Sequence, residues 1–121
     1  MTTIDELIRD LIVAAPELEA VRRAHLADND ELLPHVLFGD VTWWVVERGP
    51  VPKVLAVLEH HMEAGDADVQ NLIAVSFLEN LFGDDPGERA VQNALGPRLK
   101  AEFDAMWNWR PTIPRRPPNV R

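Results

Sequence analysis

Apolar residues recur along the chain at helical spacing from its first residues. Ile4, Leu7, Ile8, Leu11 and Ile12 fill one stripe at i, i+3, i+4, i+7 and i+8, and Thr3 followed by Glu6 has the spacing of a capping box. This predicts a helix from residue 4 to about Ala15. Pro16 suits the first position of a second helix that runs to about Asp28, with Leu18, Val21 and His25 on one side, so the two form a short helical hairpin. Asp28 to Glu31 reads as a turn. The apolar run Leu32 to Phe38 is interrupted by Pro34 and predicts only a short helical turn. Gly39-Asp40 then reads as a stop followed by an N-cap, opening a helix through Val41, Trp44 and Val45 that Gly49-Pro50-Val51-Pro52 ends.

The second half continues the pattern. Pro52 starts a helix carrying Val54, Leu55, Leu58, His61 and Met62 as far as Gly65, and Asp66 caps the most apolar segment, Val69 to Phe82. Leu72 to Leu78 is nonpolar almost all round, the mark of a central helix wrapped by others. Gly83-Asp84-Asp85-Pro86-Gly87 is a loop, Glu88 to Leu95 a short helix, and Gly96-Pro97 a break before a last helix bearing Leu99, Phe103, Met106 and Trp107. The expected fold is all-α, with six to seven short helices in antiparallel hairpins and some likeness to a HEAT-type array, although no internal period supports a true repeat. Residues 1–109 form the single domain; residues 110–121, with Pro111, Pro114, Pro117 and Pro118 among four arginines, form an extended tail.

Charge sharpens the picture. The net charge is −8, but residues 1–97 hold eighteen acidic against six basic residues, whereas the remainder holds two against six. A body near −12 repels a phosphate backbone and steers basic partners toward itself, so nucleic-acid binding by the folded part is not expected. No apolar run approaches the ~20 residues of a membrane span, and Met1-Thr2-Thr3 followed by Asp5 and Glu6 lacks a basic leader, which predicts a cytoplasmic protein without membrane attachment. The absence of cysteine excludes disulfides and thiolate chemistry.

Candidate chemistry is sparse. His60 and His61 lie beside Glu59 and Glu63, yet adjacent helical residues point ~100° apart, and the expected arrangement is packed His61 with exposed His60 rather than a metal site. Ser76 and Asn80 share a face at i, i+4, with Glu79 between; a hydrolase built from Ser76, His61 and Glu79 lacks the glycine elbow and oxyanion loop that acyl transfer needs. Asp28, Asp30 and Asp40 lack the ligand spacing of a calcium loop, and no phosphate-binding glycine motif occurs. The residues imply no enzyme, cofactor or metal. Four tryptophans remain: periodicity assigns Trp44 and Trp107 to the core and leaves Trp43 and Trp109 as surface candidates for partner contact.

The stretches Ala15-Pro16-Glu17-Leu18, Leu32 through Val41 and Asn71 through Leu81 resemble an uncharacterised family of small bacterial helical proteins, similar in turn to immunity proteins of polymorphic-toxin systems. The resemblance spans most of residues 10–105 and leaves out the tail. It implies neutralisation of a basic cognate toxin by direct binding, without catalytic residues. Asp40, Trp43, Glu79, Asn80, Asp84, Asp85 and Trp109 are the candidate partner-binding residues. The alternative is a helical adaptor or self-associating protein that uses the tryptophan pairs or the tail.

Overall fold

The computed structural model describes residues 1–109; residues 110–121, where the extended tail is expected, and the side chain of Trp109 lie outside the described residues. Within them the chain folds as seven α-helices: α1 (Ile4–Ala14), α2 (Leu18–Asn29), α3 (Pro34–Arg48), α4 (Pro52–Ala64), α5 (Ala67–Ile73), α6 (Pro86–Asn93) and α7 (Pro97–Trp109). Helix α5 runs on into a π-helical segment, Ala74–Leu78, and a 3-10 turn, Glu79–Leu81. The all-α expectation holds.

Local signals place most of the boundaries. The Thr3 hydroxyl accepts from the Glu6 backbone while the Glu6 carboxylate accepts from the Thr3 N–H, so the capping box is present at both bonds. Asp66 caps α5 by accepting from the Val69 N–H at 2.9 Å. Asp30 ends α2 in the left-handed conformation (φ 61°), which a short polar side chain tolerates. Gly65 sits where the chain turns from α4 to α5 so tightly that a Cβ would stand 2.5 Å from the His61 carbonyl oxygen.

Two expectations fail, both at helix interiors. Gly39-Asp40 neither stops a helix nor caps a new one, because α3 runs unbroken from Pro34 to Arg48. Pro34 occupies the first helical position, where its missing N–H costs nothing, and burial of Leu37, Phe38, Val41, Trp44 and Val45 along one side outweighs the ~1 kcal/mol propensity cost of one glycine. The apolar run after Asp66 is helical but not one regular helix, since it changes from α to π to 3-10 spacing at Ala74 and Glu79. Two starts also shift by two residues, with α2 beginning at Leu18 and α6 at Pro86.

Packing is not purely sequential. Helix α4 turns from its chain neighbour α3 to pack on α1, α5 and α7, while α3 lies against the π segment, α2 and α6. Phe38, Phe77, Leu7, Leu58, Leu72, Ile73, Leu78, Leu81 and Leu99 are fully buried where these layers meet. Each such side chain contributes roughly 1.5–3 kcal/mol by leaving water. The α7 N-terminus is held from outside its own sequence: the Glu59 carboxylate of α4 accepts from the Arg98 and Leu99 N–H groups at 2.6 and 3.0 Å. That use commits Glu59 to the fold.

Candidate functional site

The π segment is the irregular part of the core, and it faces α3. Its Ser76 hydroxyl lies 2.6 Å from His35 Nδ1. The Ser76 carbonyl oxygen accepts two side-chain bonds, from Thr42 Oγ1 at 2.9 Å and Asn80 Nδ2 at 2.8 Å. Thr42 Oγ1 also reaches the Phe38 carbonyl oxygen at 2.6 Å. Polar side chains thus bond to the backbone at the point where the helical spacing changes. Ser76 is thus joined to His35, and not to His61 and Glu79.

His61 is engaged elsewhere. Completely buried between α1 and α4, it faces Asp10 Oδ2 with Nε2 at 2.7 Å and Thr2 Oγ1 with Nδ1 at 2.7 Å. A carboxylate only accepts, so Nε2 carries a proton toward Asp10, and the Thr2 hydroxyl is the partner of Nδ1. Thr2 is itself tied by its backbone to Ala64 and Asp66, at 2.8 and 2.9 Å. Beside this chain lies a shallow cavity of about 340 Å³ lined by Asp10, Val13, Ala14, Ala56, Val57, His60 and His61. Hydroxyl, imidazole and carboxylate are in line as in a hydrolase triad, but the hydroxyl does not line the cavity, and the arrangement clasps the N-terminal residues to the α4–α5 corner. His60 is exposed and His61 packed, as the spacing predicts. Among the described residues no group of three or more His, Asp or Glu side chains could hold a metal ion.

His25, also buried, accepts the Leu33 N–H on Nε2 at 2.9 Å and so ties the α2–α3 turn to α2. Three of the four histidines therefore fasten one part of the chain to another, His25 and His61 from the interior and His35 from an exposed position.

The outer side of α3 is different. Val36, Asp40, Trp43 and Glu47 follow one another at i, i+4, i+7 and i+11, and all four are exposed, Trp43 by 58%. The opposite side of the same helix is buried. Trp44, one residue on, is buried and carries the Arg48 guanidinium 4.4 Å from its ring centre. The assignment of Trp44 to the core and Trp43 to the surface is correct. Trp107 is half-buried and joins Phe82 and Phe103 in an aromatic cluster, with ring centres 5.3 and 6.0 Å away.

Four of the other candidate partner-binding residues lie on or beside elements that pack on α3, and the side chain of Trp109 lies outside the described residues. Asn80 is exposed but bonded into the seam between α3 and the π segment, and Glu79 stands exposed beside it. Asp84 and Asp85 are exposed on the loop into α6, which packs on α3 where Gly87 meets the Val46 carbonyl. The Asp84 carboxylate lies 3.6 Å from Arg89. Asp40 and Trp43 thus share one stripe, whereas Glu79 and Asn80 sit on the 3-10 turn and Asp84 and Asp85 just before α6, and both of those elements pack against α3. Sequence reasoning passed over Val36, Val75 and Glu47, each exposed near these residues or on the same stripe. A continuous α3 would have revealed Val36 on the stripe, had Gly39 not been read as a break, whereas Glu47 lies within the helix expected after Asp40.

Among the described residues one ion pair carries a clear electrostatic signature. On α2 the hydrogen bond and charge of Arg22, aided by Arg23, hold the Glu19 carboxyl below the usual range, and Glu19 raises Arg22 in return. Among the described residues no helix is long and apolar enough to cross a membrane. No curated protein and no solved structure matches the chain. A family model described as "Domain of unknown function (DUF7674)" matches residues 8–108, from α1 through nearly all of α7, and the chain belongs to that family.

Proposed function

We propose that this protein is a non-catalytic binding domain whose α3 ridge, with the π segment and the Asp84–Asp85 loop beside it, docks a basic protein partner. The most specific version of the reading is an immunity protein that neutralises a cognate bacterial toxin in the cytoplasm, with stacked helices used as a HEAT-like scaffold. The observation that carries it is Trp43: a 58% exposed indole on a helix whose opposite side is core, with Asp40 and Glu47 next to it. Tryptophan leaves water readily and anchors interfaces, whereas an acidic rim steers a basic partner and sets its orientation. The side chains of His25, His35, His61 and Ser76 are bonded to other parts of the chain.

The test is co-expression with the product of the adjacent toxin-like reading frame, followed by size-exclusion chromatography. A stoichiometric complex and protection of the host are expected, with Trp43→Ala weakening the complex by about ten- to a hundredfold, the range of an interface hot spot. Absence of a complex would sink the toxin reading, and a complex indifferent to Trp43 and Asp40 would sink the assignment of the face.

A further inference from the structure

Trp43 and Trp44 are neighbours in sequence, and their surroundings differ in one chemical respect. Trp44 receives a cation from its own helix, since Arg48 is at i+4 and stacks 4.4 Å from the ring centre. The residue at i+4 from Trp43 is Glu47 and the residue at i−3 is Asp40, both exposed carboxylates. Among the described residues no cation stands over the Trp43 ring. A further feature concerns Gly39, at i−4. Long helical side chains lean toward the preceding turn, which for Trp43 is the turn of Gly39 and Asp40. A Cβ built on Gly39 would meet nothing within 4 Å, and its backbone is ordinary right-handed helix. The fold makes no steric demand for glycine here, in contrast to Gly65, and mid-helix glycine lowers stability. Glycine at this position leaves open space one turn before Trp43.

We propose that Trp43, Asp40 and Glu47, with the open space over Gly39, form a receptor for one arginine side chain of the protein partner. A guanidinium stacks flat on an indole and donates to carboxylates at its edge; it is less strongly hydrated than an ammonium, so an arginine fits this arrangement better than a lysine. The Trp44–Arg48 pair shows the same contact made internally one residue away. The inference rests on the binding reading above and adds to it the chemistry of the contacting group.

The experiment follows the Trp43 indole N–H of the full-length ¹⁵N-labelled chain, identified by its loss in Trp43→Phe, during titration with N-acetyl-arginine methylamide and its lysine and citrulline counterparts. A saturable shift with the arginine compound is expected, about fivefold weaker binding with lysine, and no saturation with the uncharged citrulline. Asp40→Asn with Glu47→Gln should weaken the arginine response severalfold. Gly39→Leu should abolish it without lowering the thermal midpoint. Equal responses to arginine and citrulline, or none to arginine at tens of millimolar, overturn the inference. It is also overturned if replacing Arg110, Arg115, Arg116 and Arg121 by glutamine moves the Trp43 signal of the unliganded protein, because the occupant is then the chain's own C-terminal segment. A toxin complex that depends on Trp43 but shows no arginine preference defeats this inference alone; absence of the complex defeats the binding reading beneath it.

Discussion

The clasp around His61 and the outer ridge of α3 hold the same kinds of polar group in opposite conditions. At the clasp, Thr2, His61 and Asp10 satisfy one another, with the ring of His61 wholly out of water. On the ridge, Asp40, Trp43 and Glu47 face solvent, and the glycine beside them creates space rather than filling it. Polar chemistry that is closed on itself contributes to folding, whereas polar and aromatic groups left open are available to a partner. Suggestive side chains such as histidine therefore mislead here, and the informative residues are an exposed tryptophan and a glycine.

The contrast can be broken most severely at the clasp. His61→Ala removes a fully buried ring and leaves Thr2 and Asp10 without their partner, so a loss of about 2–4 kcal/mol is expected in urea denaturation. A loss under 1 kcal/mol would mean that the clasp is not structural. Ser76→Ala should cost less, about 1 kcal/mol, because it removes the hydrogen bond to His35 but leaves the Ser76 carbonyl with its donors Thr42 and Asn80. On the ridge the sign reverses: Gly39→Ala should stabilise by roughly 0.5–1 kcal/mol, since the added methyl meets open space and removes backbone freedom from the unfolded chain. Trp43→Ala should move stability by no more than about 0.5 kcal/mol while weakening the partner complex. A large drop in stability would return Trp43 to the core side of the comparison.

The smallest effect lies away from both regions. Glu19 has a carboxyl pKa lowered in the folded state by Arg22 and then Arg23, so its contribution is present above the unfolded carboxylate pKa and is lost as pH falls through the folded value. Because Glu19 is on the surface, salt should weaken the effect. Glu19→Gln should flatten the acid limb of the thermal midpoint only slightly, and high salt should remove the difference.

Local chemistry in the sequence determined the helical class, the capping box at Thr3, the cap at Asp66, the ends of α1 and α4, and the inside-outside assignment of Trp44 and Trp43. Each depends on neighbours within one or two turns, which the sequence displays directly. Tertiary structure decided that α3 continues through Gly39, because the energy that outweighs a weak local breaker comes from burial against the π segment, α2 and α6. It decided that Ser76 meets His35 and that His61 meets Asp10 and Thr2, pairs separated by 41, 51 and 59 residues that no spacing along the chain could bring together. It also decided that Gly39 would be open and Gly65 crowded, since a glycine has no side chain and its meaning lies in what packs around it.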